Sequence, residues 1–181
     1  MDPVTVRTRL DEDLPGAVAA LVEVHRTDGY PVEGVDAPEA WLRSGDVLAA
    51  WVAEAGRRVV GHVAIMRGGG AAAVEQWIGR SGEDRSGVAV LARLFVVEGA
   101  RKQATGRRLV EAATAWGHAR GLRLVLDVVA KDVAAMRLYE RLGWRRIGEV
   151  AHHYGVGRTT PATCYVAPAG PVCGALPGPV T

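Results

Sequence analysis

A short segment of basic and small residues has the types and spacing of an anion-binding turn. It reads Arg101-Lys102-Gln103-Ala104-Thr105-Gly106. Ala104 and Gly106 lack the bulk that would keep a phosphate off the main chain, and the backbone N–H groups at the start of a helix attract anions. Arg107 and Arg108 add positive charge beside the two cations of the turn. The segment therefore predicts a binding site for a group of the size of pyrophosphate.

The elements on either side of this turn are predicted to hold it in place. Residues 88–97 form a nearly unbroken apolar run rich in branched side chains, which is typical of a strand buried on both faces. Residues 105–120 carry apolar side chains at helical spacing and are followed by Gly121, a common helix end. Residues 122–129 form the next apolar strand.

A second pattern follows this strand, in which Asp132, Ala135, Tyr139, Gly143 and Trp144 are spaced as Asp-x-x-Ala-x-x-x-Tyr-x-x-x-Gly-Trp. The two patterns together resemble two motifs of the GNAT family of N-acetyltransferases. These are the acyl-CoA-binding Gln/Arg-x-x-Gly-x-Gly/Ala and a downstream Asn-x-x-Ala-x-x-x-Tyr-x-x-x-Gly-Phe. Here Asp replaces Asn, Trp replaces Phe, and Ala104 replaces the first Gly, a change that should be tolerated if its φ is negative.

The resemblance implies a mixed α/β layer fold with a central mixed sheet. In the family, the strands that correspond to 88–97 and 122–129 run parallel and splay apart, and the pantetheine arm of acetyl-CoA enters the gap. Acetyl-CoA is thus the expected acyl donor. The cofactor-binding residues that the resemblance implies are Leu94, Phe95, Val96, Arg101, Lys102, Gln103, Ala104, Thr105, Gly106, Arg107 and Asp132.

Tyr139 is the catalytic residue that the resemblance implies, as the acid that protonates the departing thiolate. It lies two helical turns after Asp132, where a phenol could face the thioester sulfur. A phenol is neutral at pH 7 and can donate a proton to a stronger base that forms nearby. The alternative is that Tyr139 packs in the core.

The general base is left open by the sequence. Some relatives have a Glu on the strand before the turn, and Val90 occupies that position here. An ordered water chain can also take this role. The candidate side chains are Asp28, Glu75, Glu83, Asp84, Asp127, His152 and His153.

The remaining elements complete a single domain over residues 1–167. Strands are predicted at 4–10, 47–53, 59–66, 144–150 and 160–167, and helices after Leu14 up to about Gly29 and at 38–43. Residues 68–87 are Gly-rich and polar and are predicted to form a loop beside the substrate, with Trp77 near the acceptor. Residues 168–181 are rich in Pro and Gly and are predicted to be a mobile tail.

Composition excludes several classes of protein. The chain has 181 residues, is 49% hydrophobic and carries a net charge of +2, without the excess of basic residues that nucleic-acid binding favours. No apolar run reaches the length of a membrane span, and no signal peptide is visible. The two cysteines build no disulfide framework, and the five histidines show no metal-binding spacing, so we expect a cytoplasmic protein without a metal.

The sequence therefore predicts an acyltransferase that moves an acetyl group from acetyl-CoA to a primary amine by direct attack in a ternary complex. A small-molecule acceptor is expected, and the enzyme is expected to be a monomer or a homodimer. Acetylation of a protein N-terminus or lysine is the alternative within the fold. A non-catalytic acyl-CoA sensor is the alternative of another class, suggested by Ala104 and the missing strand carboxylate.

Overall fold

The computed structural model describes residues 3–170, which form seven strands and five helices connected by short 3₁₀ turns. The strands are β1 (Val4–Thr8), β2 (Val47–Ala55), β3 (Arg58–Arg67), β4 (Val88–Val96), β5 (Arg123–Val129), β6 (Arg145–Tyr154) and β7 (Arg158–Val166). The helices are α1 (Leu14–Asp28), α2 (Pro38–Arg43), α3 (Ala72–Ser81), α4 (Thr105–His118) and α5 (Val133–Arg141).

All seven strands form one sheet in the order β1-β2-β3-β4-β5-β7-β6. Only β4 and β5 are parallel, since every other neighbouring pair is antiparallel. The parallel ladder is short and joins Val88–Val90 to Arg123–Val125. Beyond Val90 the two strands separate, which confirms the predicted mixed α/β fold with splayed central strands.

A β-bulge accompanies this separation. His62 of β3 faces Phe95 and Ala64 faces Ala92, so Arg93 and Leu94 together stand opposite a single residue of β3. Arg93 has a φ of +58°, which is unusual for a residue with a side chain. Because a bulge bends its strand and increases the local twist, it accounts for β4 turning away from β5.

The main core lies between the sheet and helices α1 and α4. Helix α4 buries Leu109, Val110 and Ala113. A side chain at Gly61 of β3 would come within 3.1 Å of Leu109 Cδ1, so this glycine allows the helix to approach the sheet closely. The apolar spacing in α4 that predicted a sheet-facing helix thus matches its buried face.

The prediction of a loop over residues 68–87 is wrong, because half of this segment is helix α3. Gly82, with a φ of +69°, ends the helix in the left-handed conformation that glycine adopts readily. Trp77 is buried in a second core cluster with Val90 of β4 and Val125 of β5. Its Nε1 donates a hydrogen bond to Glu83 Oε2 at 2.8 Å. The expectation that Trp77 borders the acceptor is therefore replaced by a role in the core.

The start of the predicted tail contacts the domain. His118 Nε2 lies 3.1 Å from the carbonyl oxygen of Pro168, and residues 168–170 have no regular secondary structure. The remainder of the predicted tail lies outside the described residues. Within residues 3–170, no helix is both long and apolar enough to cross a membrane.

Removal of the Trp77 side chain should destabilise the protein without changing acceptor affinity. Trp77→Ala is expected to lower the free energy of unfolding by about 3–5 kcal/mol, as for other large-to-small core changes, and to leave the KM for the acceptor unchanged. Trp77→Phe, which keeps an aromatic ring but loses the hydrogen bond to Glu83, should cost about 1 kcal/mol. Urea unfolding measures the stability of both variants, and steady-state kinetics measures their KM for the acceptor. A raised KM with normal stability would instead indicate that Trp77 borders the acceptor.

Candidate functional site

A cleft of about 1210 Å³ opens where β4 and β5 diverge. The predicted residues that line it are Leu94, Phe95, Val96, Arg101, Ala104, Gly106, Arg107 and Asp132. Four predicted residues do not line it: Lys102, Gln103, Thr105 and Tyr139. The sequence pattern thus brings most of the predicted cofactor residues to one cavity.

The turn that begins α4 forms one wall of this cleft. Residues Glu98–Gln103 form a 3₁₀ turn, and the buried Thr105 hydroxyl donates to the carbonyl oxygen of Ala100 at 2.7 Å, which ties the helix start to that turn. Ala104 lies between them with a φ of +56° and a ψ of +21°. The condition of a negative φ is therefore not met, and Ala104 occupies a left-handed conformation that costs about 1–2 kcal/mol for a residue with a Cβ.

The basic residues of the turn have different surroundings. Arg101 Nε donates to the carbonyl oxygen of Val96 at 3.0 Å, and its guanidinium forms an ion pair with Asp28 at the end of α1. Arg107 pairs with Glu111 one helical turn further along. Arg108 donates to the carbonyl oxygen of Val4, so its charge points toward β1 rather than into the cleft. Asp28, a predicted base candidate, is therefore paired with Arg101, the cation that is expected to bind the phosphates.

The edge of β4 that faces the cleft has no ladder partner from β5 after Val90. On its other edge, β4 stays bonded to β3, and the Val97 N–H donates to the Val60 carbonyl oxygen at 2.9 Å. The main chain of Leu94–Val96 therefore presents an open strand edge to the cleft. An extended chain of amides could pair with such an edge as an added strand does.

Helix α5 forms the opposite wall. Asp132 caps this helix, since its Oδ1 accepts a hydrogen bond from the Ala135 N–H at 3.2 Å. Further along, Tyr139 is 5% exposed and its ring packs against Trp144 and Tyr165 at centroid distances of 5.5 and 6.2 Å. Burial raises the pKa of Tyr139, and the nearby Tyr30 and Asp132 raise it further. The phenol is therefore neutral across the physiological range.

Three of the predicted base candidates lie away from the cleft. Glu75 pairs with Arg85, Asp84 accepts from the Ser86 N–H at 2.8 Å, and Glu83 accepts from Trp77. All three belong to α3 and the segment that follows it.

Asp127, two residues before the cleft-lining Val129 of β5, contacts His152 of β6. His152 Nδ1 lies 3.1 Å from Asp127 Oδ2, and Nε2 lies 2.9 Å from Glu33 Oε1. Burial alone would lower the pKa of His152, but its hydrogen bond to Glu33 and the charge of Asp127 outweigh burial and raise the pKa. His153, the next residue of β6, is exposed. The structure therefore selects the first of the adjacent histidines, through alternation along the strand.

The family is decided by the sequence profile of the Acetyltransferase (GNAT) family, which matches residues 17–144. The chain belongs to the GNAT acetyltransferase family. This match contains α1, the diverging strands and the anion-binding turn, and supports an acyltransferase enzyme. No curated protein matches the sequence significantly.

Solved structures share the fold of this acetyltransferase. An N-acetyltransferase from Staphylococcus aureus is 16% identical with a TM-score of 0.68, and the match covers 91% of this chain and 98% of that chain. NAA60 of Arabidopsis thaliana in complex with acetyl-CoA is 20% identical, with a TM-score of 0.66 and coverage of 90% and 97%. Ribosomal-protein-alanine N-acetyltransferase from Brucella melitensis is 21% identical, with a TM-score of 0.68 and coverage of 90% and 98%.

Sequence reasoning missed a buried chain of polar groups behind the bulge of this acetyltransferase. His62 is fully buried, with Nδ1 3.0 Å from the carbonyl oxygen of Arg93 and Nε2 3.1 Å from Arg9 Nη1. Burial lowers the pKa of His62 to about 3, so the ring is neutral. A carbonyl only accepts and a guanidinium only donates, so the proton is on Nδ1. These residues are far apart in sequence, and no local spacing signals their contact.

Replacing Ala104 by glycine should relieve the strained turn of this acetyltransferase. Ala104→Gly is expected to raise the free energy of unfolding by a few tenths to about 1 kcal/mol, because relief of the left-handed strain exceeds the added entropy of the unfolded chain. The matched control is Ala115→Gly, an exposed site within α4, which should lose about 1 kcal/mol. Chemical denaturation measures the free energy of unfolding of both variants. Equal losses of stability in the two variants would show that Ala104 is unstrained.

Proposed function

We propose that this enzyme transfers an acetyl group from acetyl-CoA to a primary amine of a small molecule, by direct attack in a ternary complex. The observation that carries the proposal is the cleft itself. It combines the turn at the start of α4 with the open edge of β4, and its lining residues Val129 and Val32 are close in sequence to the ionisable group of Asp127, His152 and Glu33. Each of these features corresponds to one requirement of acyl transfer from a thioester.

Donor binding follows from the turn and the strand edge. The pyrophosphate would lie at the N-terminal N–H groups of α4 near Ala104 and Gly106, with Arg107 nearby. The pantetheine amides would pair with the main chain of Leu94–Val96. Arg101 would exchange its contact with Asp28 for a phosphate oxygen, since a phosphate is the stronger acceptor for a guanidinium.

The amine must lose a proton before or during attack. The Asp127–His152–Glu33 group supports this role, because Val129 of β5 and Val32 beside Glu33 both line the cleft. The two carboxylates raise the pKa of His152 and so favour its protonated form, and we propose that a carboxylate of this group, acting through water, accepts the proton. The charges of His152 and of the other carboxylate would remain within the Asp127–His152–Glu33 group.

Tyr139 would stabilise the thiolate as it leaves. Its raised pKa keeps the hydroxyl protonated, so it would act mainly as a hydrogen-bond donor that transfers a proton only as the sulfur becomes strongly basic. Tyr139 does not line the cleft in this conformation, so its hydroxyl would have to reach the sulfur when the cofactor is bound.

Acetylation of a protein N-terminus is the second candidate. The predicted lid over residues 68–87 would have favoured a small molecule, but α3 instead packs in the core, and Glu83 after it pairs with Arg123 at the start of β5. The acceptor end near Val129 is at the other end of that strand. The Brucella melitensis relative, by name, acts on an alanine of a ribosomal protein.

Coenzyme A binding and acetyl transfer test the proposal together. Saturating acetyl-CoA, at about a hundred times its Kd, should stabilise the fold by about 2.7 kcal/mol, and a panel of small amines and N-terminal peptides should release free thiol. Gly106→Glu should abolish both effects, because the new side chain would contact Leu138 and place a carboxylate at the turn. Gly99→Glu adds the same charge where space is open and should retain both. Stabilisation without any acyl transfer would favour the sensor.

The role of Tyr139 is tested by removing only its hydroxyl. Tyr139→Phe should lower kcat by roughly ten- to a thousandfold and leave stability and coenzyme affinity nearly unchanged. Tyr165→Phe is the matched control, because that buried phenol donates to Glu140 at 2.9 Å and should cost about 1 kcal/mol of stability without an effect on kcat. Normal kcat for Tyr139→Phe, with chemistry rate-limiting, would leave water as the proton donor.

A further inference from the structure

The Arg93 guanidinium lies within electrostatic range of Tyr30, which lines the cleft, and of Glu33. The next residue, Leu94, lines the cleft, whereas Arg93 itself occupies the bulge. Its Nη2 donates to the Ser44 hydroxyl at 2.9 Å, and its Cζ lies 4.8 Å from the centroid of the Trp41 ring. Nη1 is buried and has no hydrogen-bond partner among the described residues.

This cation lacks a carboxylate partner. Within residues 3–170, no Asp or Glu oxygen lies within 4.0 Å of the Arg93 guanidinium, and Glu33 and Asp46 act on it only through space. Arg9 lies on the same side and adds positive charge. Burial lowers the pKa of Arg93, yet an arginine remains charged in proteins. A partly buried charge with an unused donor is costly unless an anion pairs with it.

Arg123 shows that the lack of a carboxylate partner is not general for partly buried arginines of this protein. It also has a buried nitrogen, Nε, without a hydrogen-bond partner, and it also stacks on a tryptophan, Trp77. Its Nη2, however, lies 3.4 Å from Glu83 Oε1, so its charge is compensated within the fold. Of the two arginines within residues 3–170 that have a buried nitrogen without a hydrogen-bond partner, only Arg93 lacks a carboxylate partner.

The bulge holds the Arg93 backbone in place. Neutral His62 donates from Nδ1 to the Arg93 carbonyl oxygen and is itself held by Arg9. The ring also stacks on Phe95 at a centroid distance of 5.3 Å. The guanidinium is therefore carried by a rigid strand rather than by a flexible loop, which is what a specificity-determining contact requires.

We infer that the acceptor amine carries a carboxylate, and that Arg93 and Ser44 bind it. The inference deepens the proposed function and rests on it. The acceptor class is thus an amino carboxylate, either a free amino acid or the acidic side chain of a short peptide N-terminus. Tyr30, which lines the cleft, packs edge to face on Trp41 at a centroid distance of 6.2 Å, and Trp41 contacts the Arg93 guanidinium, so the carboxylate would approach Arg93 from the Tyr30 side of the cleft.

Pairs of acceptors that differ only in charge test this inference. We would measure thiol release with 4-aminobutyrate and 4-aminobutyramide, L-glutamate and L-glutamine, and the peptides Glu-Ala-Ala and Gln-Ala-Ala as their C-terminal amides. The wild type should favour the acidic member of at least one pair by about tenfold or more in kcat/KM. Preference in the first two pairs identifies a free amino acid, and preference confined to the third identifies a peptide.

Substitutions at position 93 assign the preference to this side chain. Arg93→Gln should reduce kcat/KM for the preferred acidic acceptor by roughly ten- to a hundredfold and leave its neutral counterpart nearly unchanged. Arg93→Lys should retain part of the preference, and both variants keep a Cβ at the same φ, so backbone strain is matched. Arg123→Gln, the control, should keep the full preference, and melting temperatures report folding.

The outcomes separate this inference from the function on which it rests. Thiol release without charge preference, or a preference that persists in Arg93→Gln, overturns the inference and leaves the acetyltransferase intact. If no amine supports transfer, the melting temperature of the CoA-saturated protein with 4-aminobutyrate or its amide gives the second readout. An Arg93-dependent rise with the acid alone supports anion binding, and no rise overturns it.

Discussion

The separation of β4 from β5 is the constraint on which the rest of the site depends. A parallel ladder that continued past Val90 would use the strand edge of Leu94–Val96 within the sheet. The bulge at Arg93 bends β4 and leaves that edge free. The turn that begins α4 follows this bent strand, and Arg93 occupies the bulge itself. One local irregularity thus organises both halves of the site.

The bulge is itself maintained by a buried polar contact. A residue other than glycine at a φ of +58° requires support from its surroundings, and the neutral His62 supplies it by donating to the Arg93 carbonyl oxygen. The depressed pKa of His62 is consistent with this role, since a ring that stays neutral can donate from one nitrogen and accept from Arg9 with the other. Burial, which makes the histidine unfit as a base, makes it a reliable positioning group.

Charge in the cleft is distributed in a way that suits two different ligands. At the donor end, Arg101 is paired with Asp28 across the gap from α1, so the free protein partly neutralises the cation that would meet a phosphate. Near Val129, His152 lies between Asp127 and Glu33, so a protonated ring would offset part of the negative charge of the two carboxylates. Pre-formed pairs of this kind limit the repulsion within an unliganded site, and each can be exchanged for a ligand contact.

Local sequence patterns determined the larger part of the fold. Helical spacing in α4, apolar runs in β4 and β5 and the turn between them are all signals carried by neighbouring residues, and they predicted the turn of which Arg101, Ala104 and Gly106 line the cleft. The tertiary structure alone decided three other features. Helix α3 was missed because its buried residues, such as Val74 and Trp77, lie in a Gly-rich and charged context whose helical state depends on the sheet it covers. The left-handed φ of Ala104 is imposed by the contacts on both sides of the turn. Arg93 contacts Trp41 and Ser44 at the end of α2 and His62 of β3, and long-range contacts of this kind leave no periodicity for the sequence to display.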